Sequence, residues 1–303
     1  MTKIFNQSNS IEFTNLLIKS SHSFVLGESH ITRFANGELT VVLDERVRNE
    51  TIVIVSQATT YPDMFELLST IDAARRSSAR EIIALIPCLP HSRQERRDGG
   101  IRTSISAKLF ADMLQTAGLD RLITMDVHTT AIEGFYNIPF DNVDPHDAII
   151  EEICDLNLED GEYMVVSPDF GGMKRAKKYA TELNTDLAFI SKERLEANKV
   201  ADMTLIGNVK DKVVLIFDDM IDTGGTLLKA AKLLKKNGAK DIYVFVTHGI
   251  FSNKGDIKLI KDNNITRVFA TNTLPFKENA FEGLNKINIE FEFSSILNRI
   301  LNK

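Results

Sequence analysis

The sequence predicts an α/β protein made of two related domains, each with a mainly parallel sheet flanked by helices. Three observations carry that expectation: strand-like runs alternate with helical patterns, one strand–helix–strand pattern recurs along the chain, and 303 residues with 43% hydrophobic content suffice for two cores.

The strands come first. TIVIVS (51–56), EIIALIP (81–87), RLITMDV (121–127), EYMVVS (162–167), KVVLIF (212–217) and DIYVFVT (241–247) are short, apolar and rich in β-branched residues. Such near-continuous apolar runs are what strands covered on both faces require. Between them, MFELLSTIDAARRS (64–77) and TLLKAAKLLKKNG (226–238) space their apolar residues as an amphipathic helix does, and Gly238 is a helix stop.

A shift of 160 positions sets Leu67-Leu68 on Leu227-Leu228 and Ala79-Arg80-Glu81-Ile82 on Ala239-Lys240-Asp241-Ile242, and brings IVIVS within one position of VVLIF. This repeat implies two related domains. Turn signals in NIPFDNVDPHD place the boundary near 140–150, giving domains over 1–145 and 146–303, while the final IEFEFSSILNRILNK is free to return to the first.

Composition narrows the function. A net charge of −6 argues against broad binding to nucleic acid or anionic membrane, although Arg93, Arg96, Arg97 and Arg102 form a local cluster suited to phosphates. Cys88 and Cys154 are far apart and outside any CxxC or His-rich spacing, so they read as two buried thiols, not as a zinc or disulfide framework. The N-terminus lacks the charged and apolar regions of a secretory signal, and no apolar run reaches the ~20 residues of a membrane span. The expectation is a soluble, cytoplasmic protein acting on a small anion.

The two repeats differ where strand meets helix. The first carries Gln57-Ala58-Thr59-Thr60-Tyr61-Pro62, the second Asp218-Asp219-Met220-Ile221-Asp222-Thr223-Gly224-Gly225-Thr226. In an open parallel sheet this junction lies at the carboxyl edge, where ligands bind. Thr223 to Thr226 can offer successive amides at a helix N-terminus, and the glycines permit close approach, which suits a monophosphate. Asp218, Asp219 and Asp222 would repel that phosphate. They suit sugar hydroxyls or a phosphate-bound cation, so the segment describes a site for a phosphorylated sugar.

DDMIDTGGT resembles the phosphoribosyl-diphosphate motif shared by phosphoribosyltransferases and ribose-phosphate pyrophosphokinases. RFANGE (33–38), HSRQERR (91–97), MDVHTTAIEGFYNIPFDN (125–142) and VSPDFGGMKRA (166–176), with SKERLEAN (191–198) and THGIFS (247–252), are similar to the second family specifically and extend the likeness almost end to end. The resemblance implies two phosphoribosyltransferase-like domains: a pyrophosphokinase domain, and a second one carrying the ribose-phosphate loop. It implies transfer of pyrophosphate from ATP to ribose 5-phosphate, with Mg2+ and a homo-oligomer that shares its ATP site between subunits.

It also assigns residues. Arg93 and Gln94 contact ATP, while Phe34, Asn36 and Glu38 reach the adenosine from a neighbouring subunit. Taken alone, HSRQERR reads as a solvated basic turn and FANGE as a tight turn with a buried Phe34. Asp126 and His128 stand two apart on an ending strand, so both side chains are expected on one face. The resemblance puts His128 at the magnesium–nucleotide site, with Asp169 as a second metal contact. Asp169 opens a strand-to-helix turn whose Gly171 and Gly172 would admit pyrophosphate to backbone amides. SKERLEANKV reads as a polar loop; by resemblance its Lys192 and Arg194 close over the transferring group. Three positions depart from the family's pattern: Asn137 and Glu95, where Asp is common, and Ser104, where Pro is common. Asn137 puts a secondary cation site in doubt and Ser104 the regulation by phosphate or ADP, while Glu95 is a minor change.

Overall fold

The computed structural model describes residues 1–97, 99–159, 161–193, 202–252, 264–275 and 283–301. The chain divides into two compact units, the first holding Met1–Pro145, Thr273–Pro275 and Asn288–Lys303, the second His146–Asn272 and Phe276–Ile287.

In the first unit β1 (Thr2–Asn6), β2 (Phe24–Leu26), β5 (Thr51–Val55), β6 (Glu81–Leu85), β7 (Arg121–Met125) and β8 (Phe140–Val143) form one sheet in the order β2-β1-β5-β6-β7-β8. All its pairings are parallel. A separate antiparallel hairpin joins β3 (Ser29–Arg33) to β4 (Leu39–Leu43). Ile52, Ile54, Ile82, Ala84 and Leu122 pack against Leu67, Ile71 and Ala74 of α2 (Tyr61–Arg76) and Phe110, Ala111 and Leu114 of α3 (Ser106–Ala117). Each fully buried Leu or Ile of that core stabilises it by about 1.5–3 kcal/mol relative to exposure.

The helix predicted from 64 starts at Tyr61. Thr60 caps it, accepting from the Asp63 amide while the Asp63 carboxylate accepts from the Thr60 amide at 2.9 Å, and Pro62 fits the first turn, where an N–H is not needed. On the other side α1 (Ile11–Lys19) meets the C-terminal α7 (Glu290–Ile300). Phe13 packs edge-on against Phe293 at 5.9 Å, and the Asn298 amide donates to Ser21 Oγ at 3.2 Å. The last helix therefore belongs to the first unit.

The second unit has a seven-stranded sheet in the order β11-β10-β9-β12-β13-β14-β15, formed by β9 (Tyr163–Ser167), β10 (Leu187–Glu193), β11 (Asp202–Ile206), β12 (Val213–Ile221), β13 (Asp241–Gly249), β14 (Arg267–Thr271) and β15 (Leu284–Ile287). Among the described strands of this sheet only β10 and β11 pair antiparallel. One face packs Val214, Ile216, Val244 and Val246 against Leu227, Ala230, Ala231 and Leu234 of α6 (Gly225–Lys236). On the other, Tyr179 of α5 (Met173–Glu182) stacks on Phe217 at 3.8 Å, Phe217 on Phe245 at 5.4 Å and Phe245 on Phe269 at 4.7 Å. The register aligns these three phenylalanines, giving an aromatic ladder across β12, β13 and β14. Gly238, φ 89°, follows the end of α6 as expected.

Two expectations are corrected here. Cys88 is buried, but Cys154, near the end of α4 (His146–Asp155), is exposed; both are free thiols. The strand β7 stops at Met125, and Asp126 has a left-handed backbone, φ 45°. The alternation that would turn Asp126 and His128 to one face therefore does not extend to them, because Asp tolerates that conformation and the chain turns there.

Candidate active site

At the carboxyl edge of the second sheet, β12 runs on through Ile221, beyond the predicted end at Phe217. Main-chain pairing of Asp218 with Val246 and of Ile221 with Gly249 holds the acidic residues in the strand. The turn shrinks to Asp222–Gly224, and α6 begins at Gly225. Gly224 is the N-cap, left-handed at φ 70°, and no side chain caps the helix. In the first unit the equivalent junction is closed by the reciprocal capping of Thr60 and Asp63 at the start of α2. The uncapped α6 keeps the character of an anion cradle, with Thr223, Gly225 and Thr226 exposed around it.

Behind the cradle, Asp219 is buried, and its amide donates to Asp218 Oδ1 at 2.9 Å. Burial, then the neighbouring charge of Asp219, and more weakly that of Asp169, push the Asp218 carboxyl up to about 7. Asp222 accepts a hydrogen bond from the Ser252 hydroxyl. Asp169 lies in the turn between β9 and α5, where its Oδ1 accepts from the Gly172 amide at 3.0 Å and its carbonyl from Ser167 Oγ at 2.7 Å. A Cβ at Gly172 would meet Ser167 Oγ at 3.0 Å and one at Gly171 would meet Asp169 Oδ1 at 3.3 Å, so both glycines serve a tight turn. The Gly172 amide is engaged by Asp169 here, and only its release would offer it to pyrophosphate.

In the first unit FANGE is the tip of the β3–β4 hairpin. The Phe34 amide donates to Glu38 O at 2.8 Å, the Glu38 amide donates to Asn36 Oδ1 at 3.1 Å, and Gly37 takes φ 90°. The tight turn is there, but Phe34 is 49% exposed instead of buried. Arg93 and Gln94 are exposed in the turns after β6, where the Gln94 amide donates to His91 O at 2.7 Å. Gly37 and His91 line one cavity of about 560 Å³ with Tyr61, Phe110 and Met113, so the two motifs border a common space. His128 is exposed and Asp126 half-buried.

Lys192 lies in β10, opposite Met203 of β11, where the sequence reads as a loop; Arg194 lies outside the described residues. Among the described residues no three His, Cys, Asp or Glu side chains form a closed metal-ligand set. Sequence reasoning gave no role to Ser252, which is separated from Asp222 by 30 positions. Nor did it assign one to Arg33 or Glu66, whose ion pair is described below. No local spacing signals either contact.

Two mainly parallel sheets, with an uncapped helix start and an acidic pair at the carboxyl edge of the second, define a class: α/β proteins with the junction of a phosphate-handling enzyme. Comparison with known proteins specifies which. Residues 2–118 match the N-terminal domain of ribose phosphate pyrophosphokinase, and residues 193–303 match the phosphoribosyl synthetase-associated domain. The chain is 42% identical to ribose-phosphate pyrophosphokinase A of Dictyostelium discoideum, over 93% of this chain and 89% of that one. It is 41% identical to ribose-phosphate pyrophosphokinase 2 of Schizosaccharomyces pombe, over 91% and 87%. The crystal structure of phosphoribosylpyrophosphate synthetase from Mycobacterium smegmatis superposes with a TM-score of 0.91 at 34% identity, covering 100% of this chain and 99% of that one. The chain belongs to the ribose-phosphate pyrophosphokinase family and is an enzyme, a transferase of nucleotide biosynthesis.

Proposed function

We infer that the protein transfers the β,γ-pyrophosphoryl group of ATP to the anomeric hydroxyl of D-ribose 5-phosphate, giving 5-phospho-α-D-ribose 1-diphosphate and AMP. The observation that carries this reading is the uncapped start of α6 at Gly224, a few residues after the Asp218–Asp219 pair near the end of a buried strand. The sugar phosphate rests on Thr223, Gly224, Gly225 and Thr226. Asp218, Asp219 and Asp222 take the ribose hydroxyls, and Ser252 steadies Asp222. The anomeric oxygen bonds to the β-phosphorus as the bond from that phosphorus to the α–β bridging oxygen breaks. AMP leaves with that oxygen, and the hydroxyl proton passes to solvent. Such transfers need positioning and charge neutralisation more than covalent help, so no single general base is assigned.

For ATP the reading uses Arg93 and Gln94, with Phe34, Asn36 and Glu38 supplied by a second subunit of a homo-oligomer. The exposure of all five suits recognition by an incoming molecule. Lys192 and Arg194 are the cations that meet charge developing on the phosphoryl oxygens. Gly171 and Gly172 flank the pyrophosphate. The cation is Mg2+, a hard cation suited to oxygen ligands, and one that would relieve the repulsion between the neighbouring Asp218 and Asp219 carboxylates. Each unit offers metal contacts of its own: Asp169 in the second, Asp126 and His128 in the first. Bound there, magnesium would neutralise the phosphate oxygens of ATP. Free thiols and phosphorylated substrates fit a cytoplasmic enzyme, and among the described residues no helix is long and apolar enough to cross a membrane.

The test is AMP formation by the purified protein from ATP and magnesium, with and without ribose 5-phosphate, while phosphoribosyl diphosphate is followed by a coupled assay. Both products appearing together, and only with the sugar, is the expected result. A folded protein that forms neither across magnesium and phosphate concentrations is instead a non-catalytic member of the family.

A further inference from the structure

The β3–β4 hairpin forms its own two-stranded sheet, separate from the six-stranded sheet of the first unit. A lone hairpin is marginal in water, so the placement of its tip depends on what fastens it. Arg33, the last residue of β3, directly precedes the Phe34–Glu38 turn. Its Nη2 donates to Glu66 Oε2 at 2.7 Å. Glu66 projects from the middle of α2 with its side chain 1% exposed, whereas that of Arg33 is 47% exposed. The carboxylate also accepts from the Ser8 amide, at 2.6 Å, and the Ser8 hydroxyl, at 3.0 Å. Ser8 belongs to the turn after β1, and the adjacent Gln7 donates to Thr70 of the same helix at 3.0 Å.

A buried carboxylate is costly unless ionic and hydrogen-bonding partners surround it, and an apolar side chain would fill the same space more cheaply. Fastening Ser8 to α2 needs no charge. Fastening an arginine does, because a guanidinium presents its donors in a fixed planar fork that orients the chain bearing it. Leu39, the first residue of β4, lines the cavity beside Arg33, Met64 and Leu68, but an apolar contact of that kind sets no direction. We propose that Glu66 and Arg33 are positioning residues for ATP: the pair aims the Phe34–Glu38 turn by tying the end of β3 to α2. This rests on the reading, given above, that the turn contacts adenosine.

The test is steady-state kinetics of Arg33→Ala, Arg33→Lys, Glu66→Gln and the double variant Arg33→Ala/Glu66→Gln, beside Asn36→Ala. Losing one charged hydrogen bond should raise the ATP KM about tenfold in Arg33→Ala and in Glu66→Gln, with kcat and the ribose 5-phosphate KM nearly unchanged. The double variant should be no worse than either single one, and Arg33→Lys should recover most of the loss. An unchanged ATP KM in Arg33→Ala overturns the proposal. So do additive effects in the double variant, since Arg33 would then act on ATP independently of Glu66. A parallel fall of every kinetic constant together with Tm also overturns it, because the pair would only support the fold. If Asn36→Ala leaves the ATP KM untouched, the reading of the turn itself fails. If Asn36→Ala raises it while Arg33→Ala does not, only the positioning role fails.

Discussion

The amide of Asp219 donates to the carboxylate of Asp218, its neighbour in the chain, at 2.9 Å, and the buried strand keeps both acids close together. Burial and mutual repulsion raise the Asp218 carboxyl from 3.8 to about 7. Between those values the folded protein holds a proton that the unfolded chain has released. This contribution to stability is thus complete below the lower value and declines as pH rises towards the upper one. Ligand-free, magnesium-free protein should lose stability from pH 5 to pH 8 at this site, and Asp218→Asn should flatten the slope and raise Tm at pH 8. Thermal melts at the two pH values decide it; an unaltered slope in the variant means that Asp218 is ionised throughout.

Lys192→Ala should lower kcat by about 10²–10³, the usual cost of removing one group that stabilises transition-state charge, and leave the ATP KM within a few-fold. Steady-state kinetics with ATP varied separate the two constants. A variant with raised KM and full kcat would make Lys192 a binding residue only.

Gly224→Ala places a Cβ on a residue at φ 70°, which costs about 1–2 kcal/mol and shifts the amides that start α6. The expected kinetic signature is a raised KM for ribose 5-phosphate with the ATP KM nearly unchanged. Equal effects on both substrates would remove the sugar phosphate from this cradle.

Thr60→Ala breaks the capping box of α2 and should cost about 1 kcal/mol, seen as a Tm lower by about 2–4 °C. Calorimetry measures it. In the same variant the ribose 5-phosphate KM should stay unchanged, because the cradle belongs to the other unit.

The features readable in the sequence are those made by contiguous residues. Strands buried on both faces show as apolar runs, and the cradle from Asp218 to Thr226 is a single uninterrupted stretch. Other features depend on partners distant in the chain. Asp218 and Asp219 read as a turn because two acids disfavour a strand, yet β13 supplies the main-chain pairing that keeps them in β12. Ser252 reaches Asp222, and Glu66 reaches both Ser8 and Arg33, only after the chain has folded. Asp126 fails the alternation because its backbone φ, not its side chain, decides where β7 ends. The exposure of Phe34 follows from the hairpin standing apart from the main sheet, which local composition does not encode.

The packing of α7 on α1, with Phe293 against Phe13, has a consequence for biogenesis. During synthesis the first unit emerges early but lacks its closing helix until Glu290–Ile300 is translated, whereas the described strands of the second unit are made before that helix. Until then the nascent chain leaves Phe13 of α1 without the Phe293 ring that covers it, an exposed apolar side chain of the kind chaperones hold. A premature stop codon just after Ile287 would spare every described strand of the second unit and still leave the first one unfinished.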